Sequence, residues 1–150
     1  MQINKDAFLK NRPVAVVRVN YNVCSVYIDD GSDISLISEE RWTRFGKPEP
    51  TEANTKMNNT HEEFKSLGIV KLPVELNYWV KVNESFFITK GLKVPVLLGR
   101  TFLRKFGVFR HNYQRGELQL GDYMLSEWIN PEEKEKTTTS IFRYKLRNLY

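Results

Sequence analysis

The chain has 150 residues, 41% hydrophobic and 27% charged, with a formal net charge of +5. That length allows one well-buried core and is short for two domains, and the composition is that of a globular chain rather than a disordered one. The longest apolar stretches, such as 94–98 with Pro95 inside, are too short to cross a bilayer, and the single cysteine, Cys24, excludes an internal disulfide framework and a cysteine-based metal site.

Residues 1–12 are polar and aperiodic and are expected to form an N-terminal arm. They lack the apolar core and small-residue cleavage site of a secretory signal, so a cytoplasmic location without a membrane partner is expected. After Pro13, the run VAVVRVN alternates Val14, Val16 and Arg18 against Ala15, Val17 and Val19. Asn20-Tyr21-Asn22 is a turn signal and VCSVYI follows, so 14–28 is expected to be a β-hairpin. Asp29-Asp30-Gly31 breaks the second strand, and Ile34, Leu36 and Ile37 form another short apolar segment. Ser38 followed by Glu39 and Glu40 is a helix start, and Gly46, Pro48 and Pro50 keep that helix short. The polar stretch 51–63 leads into two strands, 67–77 and 82–89, and the apolar run 94–98 is a buried strand ended by Gly99. Phe102, Leu103 and Phe106 share one face of a helix from Thr101 to Phe106, with Gly107 as its cap. A closing hairpin ends at Gly121. Beyond it, PEEKEKTTTS has linker composition. The expected whole is mainly β, with a partly closed sheet and one or two short helices.

The run Tyr27-Ile28-Asp29-Asp30-Gly31-Ser32-Asp33 resembles the active-site loop of retropepsins, which usually reads Asp-Thr-Gly-Ala-Asp or Asp-Ser-Gly-Ala-Asp. Much later in the chain, Leu97-Leu98-Gly99-Arg100-Thr101-Phe102-Leu103 resembles the second signature of that family, an apolar pair and Gly-Arg before a short helix. Asp-x-Gly alone is common in turns; the two motifs in this order, with a polar stretch between them, are far more specific. The run 102–108 draws the likeness towards proteases of long-terminal-repeat retrotransposons. The resemblance covers residues 13–121, leaving 1–12 as the arm and 122–150 as a C-terminal extension or linker. It implies a retropepsin-like closed β-barrel half of the acid protease type and an aspartic endopeptidase that works as a homodimer on a polypeptide substrate, such as its own polyprotein. Asp29 would be the catalytic residue of each subunit, in a loop completed by Asp30, Gly31, Ser32 and Asp33. Gly99 and Arg100 would support the loop, with Arg100 paired to Asp33. Asn58, Asn59 and Thr60 would lie at the tip of a flap over the substrate. No cofactor and no metal is implied.

Two departures from the family pattern matter. The position after the catalytic aspartate is Asp30, where relatives carry a hydroxyl that donates across the dimer axis; an ionised carboxylate donates nothing. The expected flap has no glycine at its tip. A second outcome therefore stays open, in which the fold is catalytically impaired or domesticated and serves as a dimerisation or peptide-binding module. A third reading starts from Arg100, Arg104, Lys105, Arg110 and Arg115, which precede any acid before Glu117. Zinc knuckles and stacking-aromatic signatures are missing, so this stretch is read as a solvated positive face and a nucleic-acid partner is not expected. His61 and His111 are taken as solvated loop residues.

Overall fold

The computed structural model describes residues 12–53, 66–77 and 80–127. Strands β1 (Val14–Val19) and β2 (Asn22–Ile28) form the first hairpin. Its two turn residues, Asn20 and Tyr21, both have positive φ, 50° and 66°, the mirror-image turn whose twist suits a tight hairpin. Ala15, Val17 and Val19 are fully buried, so the alternating pattern places this set on the inner face.

The chain continues through β3 (Ser35–Ser38), helix α1 (Glu39–Arg44), β4 (Glu52–Ala53), β5 (Ser66–Glu75), β6 (Lys81–Thr89) and β7 (Val96–Leu98). Ser38 caps α1 by accepting from the Arg41 N–H at 3.0 Å. The strand order is β1-β2-β7-β3-β6-β5-β4, and β1 also pairs with β5. Six strands therefore close into a ring, with β4 added outside β5. The pairs β2–β7 and β3–β6 are parallel, whereas β3–β7 is antiparallel. Parallel pairing brings distant parts of the chain out at the same level, and this positions the site described below.

The interior is one continuous core that includes Val17, Val26, Ile37, Leu72, Phe86, Ile88, Leu98 and Phe102. Phe86 and Phe102 have no exposed surface, and burying each contributes about 2–3 kcal/mol relative to exposure. A smaller cluster of Leu36, Val94 and Leu97, flanked by Tyr27, Ile34, Phe87 and Leu92, lies along β3 and β7.

The segment expected as one helix from Thr101 to Phe106 is divided. Helix α2 (Arg100–Leu103) gives way to a 3-10 turn at Arg104–Phe106, and Gly107 ends it at φ 81°. Strands β8 (Phe109–Asn112), β9 (Glu117–Leu120) and β10 (Tyr123–Ser126) form a second, antiparallel sheet. That sheet runs past Gly121 into the segment read from sequence as an extension. Leu118 and Leu120 join the main core, and the Phe106 ring bridges Phe102 (5.1 Å between centroids) and Tyr123 (6.1 Å). Among the described residues no helix is long and apolar enough to cross a membrane.

Candidate active site

Strands β2 and β7 run parallel, with Tyr27 opposite Leu97 and Ile28 opposite Leu98. The loops that leave them emerge side by side, and the Asp29 N–H donates to the Leu98 carbonyl at 2.9 Å. Both sequence motifs thus meet at one end of the ring. Within the first loop, the Ser32 N–H donates to the Asp29 carbonyl at 3.2 Å, and the Gly31 N–H donates to Asp29 Oδ1 at 3.0 Å. The Ser32 hydroxyl donates to the Ile34 carbonyl at 2.8 Å. Asp30 and Gly31 are exposed. A Cβ at Gly31 would lie 3.1 Å from Asp29 Oδ1, so a side chain there would crowd the carboxylate.

Gly99 is the point of closest approach. A Cβ there would fall 2.3 Å from the Ile34 carbonyl oxygen and 2.7 Å from that of Ser32, both backbone atoms that cannot swing aside. The following amides grip the first loop: Arg100 N–H donates to the Ser32 carbonyl at 2.8 Å, and Thr101 N–H to that of Asp33 at 3.3 Å. Arg100 Nε donates to the Asp30 carbonyl at 2.6 Å, while its Nη1 lies 3.5 Å from Asp33 Oδ1. The Asp33–Arg100 pair is therefore present but long and solvated, with side chains 78% and 52% exposed. The guanidinium's shorter contact is with a backbone carbonyl.

Several residues at this end were not read from sequence as part of the site. Arg12 Nη1 lies 3.1 Å from Asp29 Oδ1, and the Asp29 side chain is only 14% exposed. Behind Gly99, the Glu84 carboxylate is 2% exposed. Its Oε2 accepts from the Ser35 hydroxyl at 2.7 Å and the Thr101 hydroxyl at 2.9 Å; its Oε1 accepts from Lys105 Nζ at 2.6 Å. Lys105 Nζ also donates to the Asn83 carbonyl. Ser35 Oγ in turn accepts from the Gly99 N–H at 3.0 Å. A signal existed: in Val82-x-Glu84-x-Phe86-x-Ile88 the strand period puts a glutamate on the apolar face, where it must find partners. Lys105, read as part of a solvated positive face, is one of those partners. His111 is also no solvated loop residue: it lies in β8, 8% exposed in its side chain, with Nε2 2.7 Å from Glu127 Oε2.

Asn58, Asn59 and Thr60, the expected flap tip, lie outside the described residues. The two ends of that segment are paired with each other: Glu52 faces Ile69, Ala53 faces Gly68, and the Thr51 N–H donates to the Ile69 carbonyl at 2.7 Å.

One chain thus presents one partly buried carboxylate, Asp29, on a loop clamped from below, beside the exposed Asp30 and Asp33. A single carboxylate can take a proton from water or deliver one to a leaving group, and general acid–base hydrolysis needs both roles at once.

No protein-family model matches the sequence. No curated protein sequence matches it either. Solved structures do match the fold. The retroviral protease-like domain of Ddi1 from Leishmania major superposes with a TM-score of 0.62 at 11% identity, over 78% of this chain and 94% of that one. EIAV protease, complexed with the inhibitor HBY-793, gives 0.54 at 16% identity over 72% of this chain and 96% of that one. A retropepsin-like aspartic protease from Rickettsia conorii gives 0.54 at 19% identity, over 73% and 80%. The chain has the mainly β, closed-barrel fold of retropepsin-like aspartic protease domains.

Proposed function

We propose that this chain is one half of a retropepsin-type aspartic endopeptidase, in which two copies each supply Asp29 to a shared dyad. The observation that carries the reading is the meeting of the lone Asp-x-Gly loop with Gly99-Arg100 at one end of a six-strand ring. In such a dyad two carboxylates in contact hold one proton between them. The ionised partner takes a proton from water as the oxygen attacks the scissile carbonyl carbon. The protonated partner gives its proton to the carbonyl oxygen. Collapse of the tetrahedral species breaks the C–N bond, with a proton passing to the leaving amine. Partly buried apolar side chains, Tyr27 and Ile34 to either side of the loop in sequence and Leu92 in the same cluster, favour an extended polypeptide with apolar residues near the cut. A two-fold axis through the loops follows from there being one Asp-x-Gly per chain. The run 102–108 favours a retrotransposon-type protease within this class.

A second reading has its own observation. Asp30 is exposed beside the candidate dyad, and Arg12 engages Asp29 Oδ1, so a second copy would have to compete with Arg12 for that oxygen. In that reading the fold dimerises or binds peptides without cutting them. Incubating the purified protein near pH 5 with a peptide library, beside an Asp29→Asn control, separates the two. Cleavage by the wild type alone supports the endopeptidase. Peptide binding without cleavage supports the module.

A further inference from the structure

We propose that Glu84 is a positioning residue for the Asp29 loop, acting through Ser35 and Thr101 on the Gly99 turn. This deepens the endopeptidase reading and rests on it for its kinetic arm.

Glu84 sits on the inner face of β6 with the buried Phe86 and Ile88, while the alternating Asn83 and Ser85 face solvent. A carboxylate on such a face is costly unless each oxygen is met by donors. Here three donors meet it, from three separate elements: Ser35 in β3, Thr101 in α2 and Lys105 in the 3-10 turn. The carboxylate therefore ties together the strand that follows the Asp29 loop and the helix that follows Gly99.

The direction of the bonds gives it more than a packing role. The Gly99 amide can only donate, and a carboxylate only accepts. The single Ser35 hydroxyl proton must then point at Glu84, which turns an oxygen lone pair towards the Gly99 N–H. Glu84 thereby helps to fix Gly99, a position with no room for a side chain towards Ile34 or Ser32. From Gly99 the adjoining Leu98 carbonyl and Arg100 amide hold Asp29 and Ser32 directly. Glu84 never meets a substrate; it sets where the candidate catalytic carboxylate stands.

A purely structural role and a positioning role part company in one pair of variants. In E84V/K105M both charges go and apolar groups fill the space, a replacement that commonly leaves stability unchanged or raised. Ser35 and Thr101 lose their acceptor. In E84Q/K105M the amide oxygen can still accept from both hydroxyls. The probe is a fluorogenic peptide that the wild type cuts, together with amide hydrogen exchange at Gly99 and Arg100. For E84V/K105M we expect a folded protein with a melting temperature close to that of the wild type, the gain from removing the buried charge being offset by the Ser35 hydroxyl left without an acceptor. Its kcat should fall about a hundredfold at unchanged KM, the scale of a small misplacement of reacting groups. Exchange at Gly99 and Arg100 should be several-fold faster while the β1–β2 amides stay protected. E84Q/K105M should recover both kcat and protection. Should E84V/K105M not fold, Ser35→Ala, which removes one oxygen, carries the same expectations for exchange and kcat. Wild-type exchange at Gly99 in E84V/K105M, or activity that merely tracks melting temperature across the set, overturns the proposal. A wild type that cuts no peptide counts against the endopeptidase reading alone, since the exchange comparison still decides the role of Glu84.

Discussion

Two ion pairs flank Gly99, in opposite environments. On the loop side, Arg100 and Asp33 are mostly exposed and 3.5 Å apart. On the interior side, Lys105 and the almost fully buried Glu84 are 2.6 Å apart, and two hydroxyls complete the carboxylate's shell. The pair that belongs to a recognisable motif is the one water can replace. The pair whose carboxylate water cannot reach belongs to no motif. Motif residues here mark where the chemistry would happen, and the strength of the scaffold lies one layer deeper.

The contrast can be tested, beginning with the largest effect. Asp29→Asn should reduce any peptide cleavage more than about a thousandfold, since the members of an acid–base unit act together. Its effect on stability should be about 1 kcal/mol or less, as the swap is nearly isosteric in a polar loop. Cleavage at the wild-type rate would move the chemistry away from this loop. Next, Glu84→Ala should cost about 3 kcal/mol in denaturant unfolding, the lower end for a broken buried pair, because Lys105 can turn out to water. A cost near zero would show that the interior pair is no stronger than the exposed one.

Asp30→Thr comes third and is read in the dimer. In the proposed dimer, two copies of Asp30 beside two of Asp29 would crowd four carboxylates at the two-fold axis, where like charges at short range repel. Asp30→Thr removes two of those charges and restores a hydroxyl donor, so it should tighten the dimer. Sedimentation of both proteins at the same pH measures it, and equal dissociation constants would remove Asp30 from the account. The smallest effect belongs to Asp33→Asn, about 0.5 kcal/mol or less, as for other exposed pairs. A loss as large as that of Glu84→Ala would erase the distinction between the two sides of Gly99.

Local features were legible in the sequence because they rest on near neighbours. The hairpin 14–28 follows from alternation around a turn that accepts positive φ, and α1 follows from Ser38 and the acids behind it. The loop and Gly99 were found together only through the resemblance. Composition and periodicity do not say that β2 and β7 lie parallel, since that pairing joins distant segments through short contacts. Lys105 looked like one more surface cation until Glu84 was seen beneath it, and Glu84 itself was hidden in a strand read only for its apolar residues. The Phe106 contact with Tyr123 in β10 joins the short helix to a distant strand and has no local signal.

Arg12 has a consequence of its own. The residue after it, Pro13, is pinned by its carbonyl, which accepts from the Ile28 N–H at 2.9 Å at the very end of β2. The guanidinium is thus a ligand on a one-residue leash, and it meets Asp29 at the high effective concentration of a short tether, on the order of millimolar. Any second molecule bringing its own group to that carboxylate, a partner copy or a substrate, must first outcompete a resident. The leash therefore makes the chain's own guanidinium the standing competitor for that oxygen.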